Sequence, residues 1–319
     1  MARIGRREFL GAAASGAILA SGDPLRAIAE KRSETLVAAL WKSLDEPQRA
    51  ALCFPFDHPL RSRVEPNWLI VPEKTIEGAF TKDQQDLIRQ IFRGLHSPEY
   101  ADAILKQVEH DNVDIGGFGA CSVALFGEPG SAGGFEFVLT GRHVTRRCDG
   151  DSVAGAAFGG PIFYGHAAES FNEAATHPGN VYWYQAKRAN ELFQALDGKQ
   201  RERALLGSSR PEEGTKTVAL RGKGADLAGL RGAEMSPDQR ALLRAVMADV
   251  LAPFRAEDVE ESLRLVEAAG GLESLAISFY KNHDIGSDGV WDVWQIEGPS
   301  MLWYFRGAPH VHTWVHVRA

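Results

Sequence analysis

The feature that most constrains this chain is the series of closely spaced strand segments at its end. Residues 274–280, 290–297, 301–306 and 310–317 are rich in β-branched and aromatic side chains, and the connections between them are short. Connections of that length cannot hold a crossover helix, so neighbouring segments must pair antiparallel. Residues 116–126 and 135–144, joined by the Gly127–Gly134 turn, predict a hairpin, with further strands over 160–166 and 68–71. Helical spacing is found elsewhere: at 30–50, from the Thr81–Gln84 capping box to about 95, at 97–110, at 182–206, and at 239–252 and 256–269 behind Ser236-Pro237. Residues 207–235 have weak periodicity and read as a surface loop or short hairpin. Helices and strands are segregated rather than alternating. The expected fold is therefore α+β, an antiparallel sheet flanked by helices in a single large domain over residues 30–319.

The first 29 residues are read apart from that domain. Arg6-Arg7 followed by Phe9-Leu10 is a twin-arginine pattern, and a short Ala/Gly-rich apolar stretch and an Ala27-Ile28-Ala29 cleavage site come after it. The stretch is too short and too weakly apolar for a stable membrane anchor. The expectation is export by the twin-arginine translocation machinery, as a folded chain, to the periplasm or beyond. Without residues 1–29 the formal charge is about −9, which argues against nucleic acid as a partner. Cys53, Cys121 and Cys148 would meet an oxidising compartment. The hairpin register sets Cys121 near Thr140 rather than Cys148, so no disulfide is assigned.

Histidine placement carries the chemistry. On a strand over 310–317, His310, His312, Trp314 and His316 share one face, while Val311, Thr313, Val315 and Val317 share the other, core-like face. Two imidazoles at i, i+2 can ligate one metal ion if a remote segment completes the set. His143, after the β-rich run ending Thr140-Gly141-Arg142, is the first choice for the third ligand. His166 is the fourth candidate. Arg142 and the turn carboxylate Glu297 are candidate catalytic groups, with Glu297 as a base or ligand. A solvated strand face and a backbone-bonded turn acid are the ordinary alternatives for these residues.

Several of these stretches also resemble a bacterial family catalogued as domain of unknown function 3500. They are Leu125-Phe126-Gly127-Glu128-Pro129, Thr140-Gly141-Arg142-His143, and Glu297-Gly298-Pro299 with Trp303, Phe305, Gly307 and Pro309-His310-Val311-His312. Where the family carries Gly-His-His, this chain has Gly141-Arg142-His143. The resemblance implies no activity. It does imply that His143, His310 and His312 belong to one constellation.

The expected function is an exported metalloenzyme, an oxidoreductase slightly ahead of a hydrolase, acting on a small molecule. It would use one transition metal ion (copper, zinc or iron) held by His143, His310 and His312, with His166 or Glu297 in or near the shell. Two alternatives stand beside it. One is a non-catalytic carrier of a metal, or of an acidic ligand held by Arg142, Arg146 and Arg147. The other is metal-independent hydrolysis by Glu297 or Cys148.

Overall fold

Antiparallel hairpins with few crossovers build one sheet from the strands of both halves of the chain. A computed structural model describes residues 32–166, 181–282 and 290–319. Its strands are β1 (Cys53–Phe54), β2 (Ser122–Gly127), β3 (Phe135–Gly141), β4 (Val144–Cys148), β5 (Ile162–Gly165), β6 (Leu205–Leu206), β7 (Leu230–Arg231), β8 (Ala276–Tyr280), β9 (Val293–Glu297), β10 (Met301–Arg306) and β11 (His312–Val317). They form one sheet in the order β1-β2-β3-β4-β5-β11-β10-β9-β8-β6, with β7 also on β8. All pairings are antiparallel except the two-residue edge pairs β1–β2 and β6–β8. The α+β expectation therefore holds. The two strand groups meet where β5 pairs β11, with Gly165 opposite His312.

Alternation along these strands sorts the side chains onto two faces. Tyr164, Val315, Trp303, Phe305, Ile296 and Phe279 lie in the main core with the helices Lys82–Gly94, Tyr184–Gln194, Pro237–Leu251 and Ala256–Ala268. Burial of a side chain such as Phe279 contributes about 1.5–3 kcal/mol. On the other face, Phe163, Trp314, Tyr304, Leu302 and Val293 pack with Val64 and Val218 from long connecting segments. Both faces are covered, which explains why these strands read as nearly continuous apolar runs. Among the described residues, no helix is long and apolar enough to cross a membrane.

Helix starts follow the sequence signals closely. Thr81 caps Lys82–Gly94 and Ser236 caps Pro237–Leu251, each in a capping box with the expected glutamine. The predicted 30–50 helix is broken at Leu44-Asp45, because Asp45 caps a new helix, Glu46–Leu52, with Gln48 completing the box. The 182–206 helix breaks in the same way at Asp197, the cap of Gly198–Ala204. Residues 68–71 are not a ladder strand. Their backbone amides are taken by hydroxyls, Ile70 N–H by Thr140 Oγ1 (2.8 Å) and Val71 N–H by Ser122 Oγ (3.3 Å). Cys53, Cys121 and Cys148 are free thiols. Residues 1–29, on which the export expectation rests, lie outside the described residues, as do Glu169, His177 and His283.

Candidate metal centre

His143 is the hinge of a tight connection. The single strand expected over 135–144 is two strands, because the chain reverses at Arg142-His143 between Gly141 and Val144. His143 adopts a left-handed backbone (φ 55°), uncommon outside glycine, and its N–H donates to Pro66 O at 2.9 Å. Such strain, on the order of 1–3 kcal/mol, persists where surrounding contacts over-determine it. Across β5, the chain enters β11 through His310 and His312. Gly165 is required at this junction, since a Cβ there would lie 2.0 Å from Val311 O.

These connections bring three rings from remote segments together. Ring centroids are 4.9 Å apart for His143–His310, 5.1 Å for His143–His312 and 4.7 Å for His310–His312. One nitrogen from each lies within 4.8 Å of the others, so the group could hold a metal ion. His310 Nε2 and His312 Nε2 are 2.9 Å apart. Two nitrogens bound at about 2.0–2.1 Å to one tetrahedral ion sit about 3.3 Å apart, close to that spacing. His166 is fully buried, and its backbone N–H donates to Val311 O at 3.1 Å.

The other nitrogens of two rings are spoken for. His143 Nδ1 lies 2.9 Å from Asp111 Oδ2, and Gln107 Nε2 donates to that same oxygen at 2.7 Å. His312 Nδ1 lies 2.9 Å from Glu212 Oε2, while Trp314 Nε1 donates to Oε1 (2.9 Å) and Arg306 sits 3.0 Å from Oε2. A carboxylate behind each Nδ1 favours the Nδ1–H tautomer and leaves Nε2 as the free electron pair. Burial pushes the His310 pKa down to about 3, with the His312, His143, Arg306 and His166 charges adding to the shift. Burial likewise brings His312 down to about 4 against the opposing pull of Glu212. Both rings are therefore neutral at neutral pH, the form that can donate an electron pair to a metal ion. Burial acts to raise the Glu212 pKa, but His312, Arg306 and Trp314 hold it below the usual carboxylate value.

The family profile described as a protein of unknown function, DUF3500, matches residues 27–318. The chain belongs to this family. No curated protein and no solved structure gives a match.

The remaining candidates of this DUF3500 chain are not members of the three-ring group. Arg142 bonds Asp111 O (2.8 Å) and pairs with Asp114 (3.0 Å), so it clasps the loop that follows the Asp111 helix. Glu297 pairs across β10 with Leu302, whereas His312 pairs with Arg306, about 13 Å further along at the usual rise per residue. It is buried and ion-paired with Arg210 and Arg221. Arg142, Arg146 and Arg147 do not form one anion site. Successive residues of β4 face opposite ways, so Arg146 enters the helical core to meet His96 (2.9 Å), and Arg147 meets Glu136 (2.8 Å) on the other face. Cys148 ends β4 at the far end from His143, and burial raises its thiol pKa well above normal, which disfavours the nucleophilic thiolate. His316 lies outside the cluster, its Nδ1 bonded to Val218 O at 2.9 Å.

Asp111 and Glu212 are the residues that sequence reasoning missed. Asp111 reads as an ordinary helix-end acid, and Glu212 lies in the weakly patterned 207–235 stretch. Their histidine partners are 32 and 100 residues away, a distance that no local pattern encodes.

Proposed function

We propose that this protein is an exported metalloenzyme that holds one transition metal ion through His143, His310 and His312, with oxidoreductase chemistry slightly ahead of hydrolysis. The observation that carries this reading is the convergence of three imidazoles from two remote segments, two of them backed by carboxylates. His143 and His312 would ligate through Nε2, with Asp111 and Glu212 holding the ring orientations. His166 stands beside the set as a further imidazole. When bound, the ion would supply Lewis acidity or electron transfer at an open coordination position, and copper, zinc and iron all suit neutral imidazoles. The small-molecule substrate would have to approach from the His310 side, the least buried of the three rings. Export is proposed on the Arg6-Arg7 signal, which would deliver the chain already folded around its metal.

The test uses untagged full-length protein recovered from the periplasm of expressing cells and from Arg6→Lys/Arg7→Lys cells. About one equivalent of metal is expected per wild-type chain, with only trace amounts in His310→Ala/His312→Ala. The lysine variant should remain in the cytoplasm. Equal metal content in wild type and the double-alanine variant would end the metal reading. Periplasmic lysine variant would end the export reading.

A further inference from the structure

Residues 207–235 read from sequence as a surface loop or short hairpin; the part over 207–221 lies across the sheet face that carries His312. This strap makes no sheet pairing beyond Leu206, and side-chain bonds hold it down. Arg210 bonds Gln295 (2.9 Å) and Glu297 (3.1 Å), Thr215 Oγ1 accepts from Val64 N–H (3.0 Å), and Val218 O meets His316 Nδ1 (2.9 Å). Val218 and Leu220 pack with Trp314 and Tyr304. From this strap, Glu212 bonds a ring of the candidate centre, and it also gathers Trp314 and Arg306.

We infer that Glu212 is a positioning residue through which metal occupancy and strap closure are coupled. The inference rests on the three-histidine metal reading. An ion on His312 Nε2 withdraws electron density from the ring and makes Nδ1–H a stronger donor. The Glu212 carboxylate then binds that donor more tightly, and in return it makes Nε2 a more basic ligand. Linkage requires the two effects to be equal, so a strap that holds the metal must also be held by it. Glu212 is an outer-shell group in this account and touches neither metal nor substrate.

The experiment measures hydrogen exchange of the 208–221 peptides in full-length chain, metal-free and loaded with Co(II), together with Co(II) affinity and its visible spectrum. In wild type, Co(II) should slow strap exchange by roughly tenfold or more. Glu212→Ala should abolish that protection, lower Co(II) affinity by about 10–100-fold and shift the visible bands. Glu212→Gln keeps an acceptor for Nδ1–H but loses the charge, so intermediate affinity and partial protection are expected from a variant that preserves the shape of the side chain. Co(II) uptake that leaves wild-type strap exchange unchanged, or an unaltered affinity in both variants, overturns the coupling alone. A wild-type chain that takes up no Co(II) overturns the metal reading and the coupling with it.

Discussion

Glu136→Ala should destabilise the protein by about 3–5 kcal/mol, the range typical of breaking a buried ion pair from one side. Glu136 has no exposed surface and stands between two guanidinium groups, Arg147 at 2.8 Å and Arg61 at 2.8 Å. Arg147 is also wholly buried and donates to the carbonyls of Pro161 (2.6 Å), Arg63 (2.7 Å) and Arg61. Those carbonyls satisfy its N–H groups but do not neutralise it. Removing the glutamate leaves a buried cation with no anion, in a position that pins residues 61–63 to the sheet. Urea unfolding of wild type and variant reads the difference directly. A loss below about 1 kcal/mol would mean that the Arg147 charge is compensated elsewhere.

Asp149→Asn should have the opposite sign, stabilising the protein above neutral pH. Asp149 is 5 % exposed and lines a cavity of about 610 Å³ with Glu34, Asp151, Asp258, Glu261 and Arg255. Burial pushes its pKa up to about 7. The Val153 N–H opposes that shift, and the Glu136, Asp258 and Asp151 charges add to it. A folded-state pKa above the unfolded value of 3.8 means that the native chain binds this proton more tightly. The contribution is then fully present below about pH 4, declines as pH rises through about 7 and is flat beyond. At about 1.4 kcal/mol per unit, the swing is on the order of 4 kcal/mol. Asparagine keeps an acceptor for Val153 N–H (now 2.8 Å from Oδ2) and carries no charge to desolvate. Melting curves between pH 4 and 8 should show the variant gaining on wild type as pH rises. Parallel curves would place the strain on another group in the cavity.

Much of the scaffold was legible because it rests on local signals. Capping residues such as Thr81 and Ser236 mark helix starts through side-chain bonds to amides three residues on, and alternation in 310–317 correctly set Val311 and Val315 toward the core. The turn at Arg142-His143 escaped notice because it lacks the Asn-Gly or Asp-Gly dipeptide that announces a two-residue hairpin. That turn uses a histidine at positive φ instead. Residues 68–71 have strand composition, yet Thr140 and Ser122 hydroxyls replace the ladder partner. At the centre itself, the i, i+2 spacing pointed to His310 and His312, and the choice of His143 as their neighbour agrees with the geometry. Glu297 attracted attention as a turn carboxylate, but its neighbours Arg210 and Arg221 come from a segment with no periodicity to read. Asp111 and Glu212 depend wholly on tertiary contacts.

The most direct test of the central claim is X-ray absorption at the metal edge, on the metal-loaded wild-type chain and on His143→Ala. The wild type should show about three imidazole nitrogens at 2.0–2.1 Å, with the outer-ring scattering that histidine gives. His143→Ala should lose one of them, although residue 143 lies far in sequence from His310 and His312. A wild-type shell dominated by oxygen or sulfur, or one that is unchanged in His143→Ala, would contradict the convergence of these three rings on one ion.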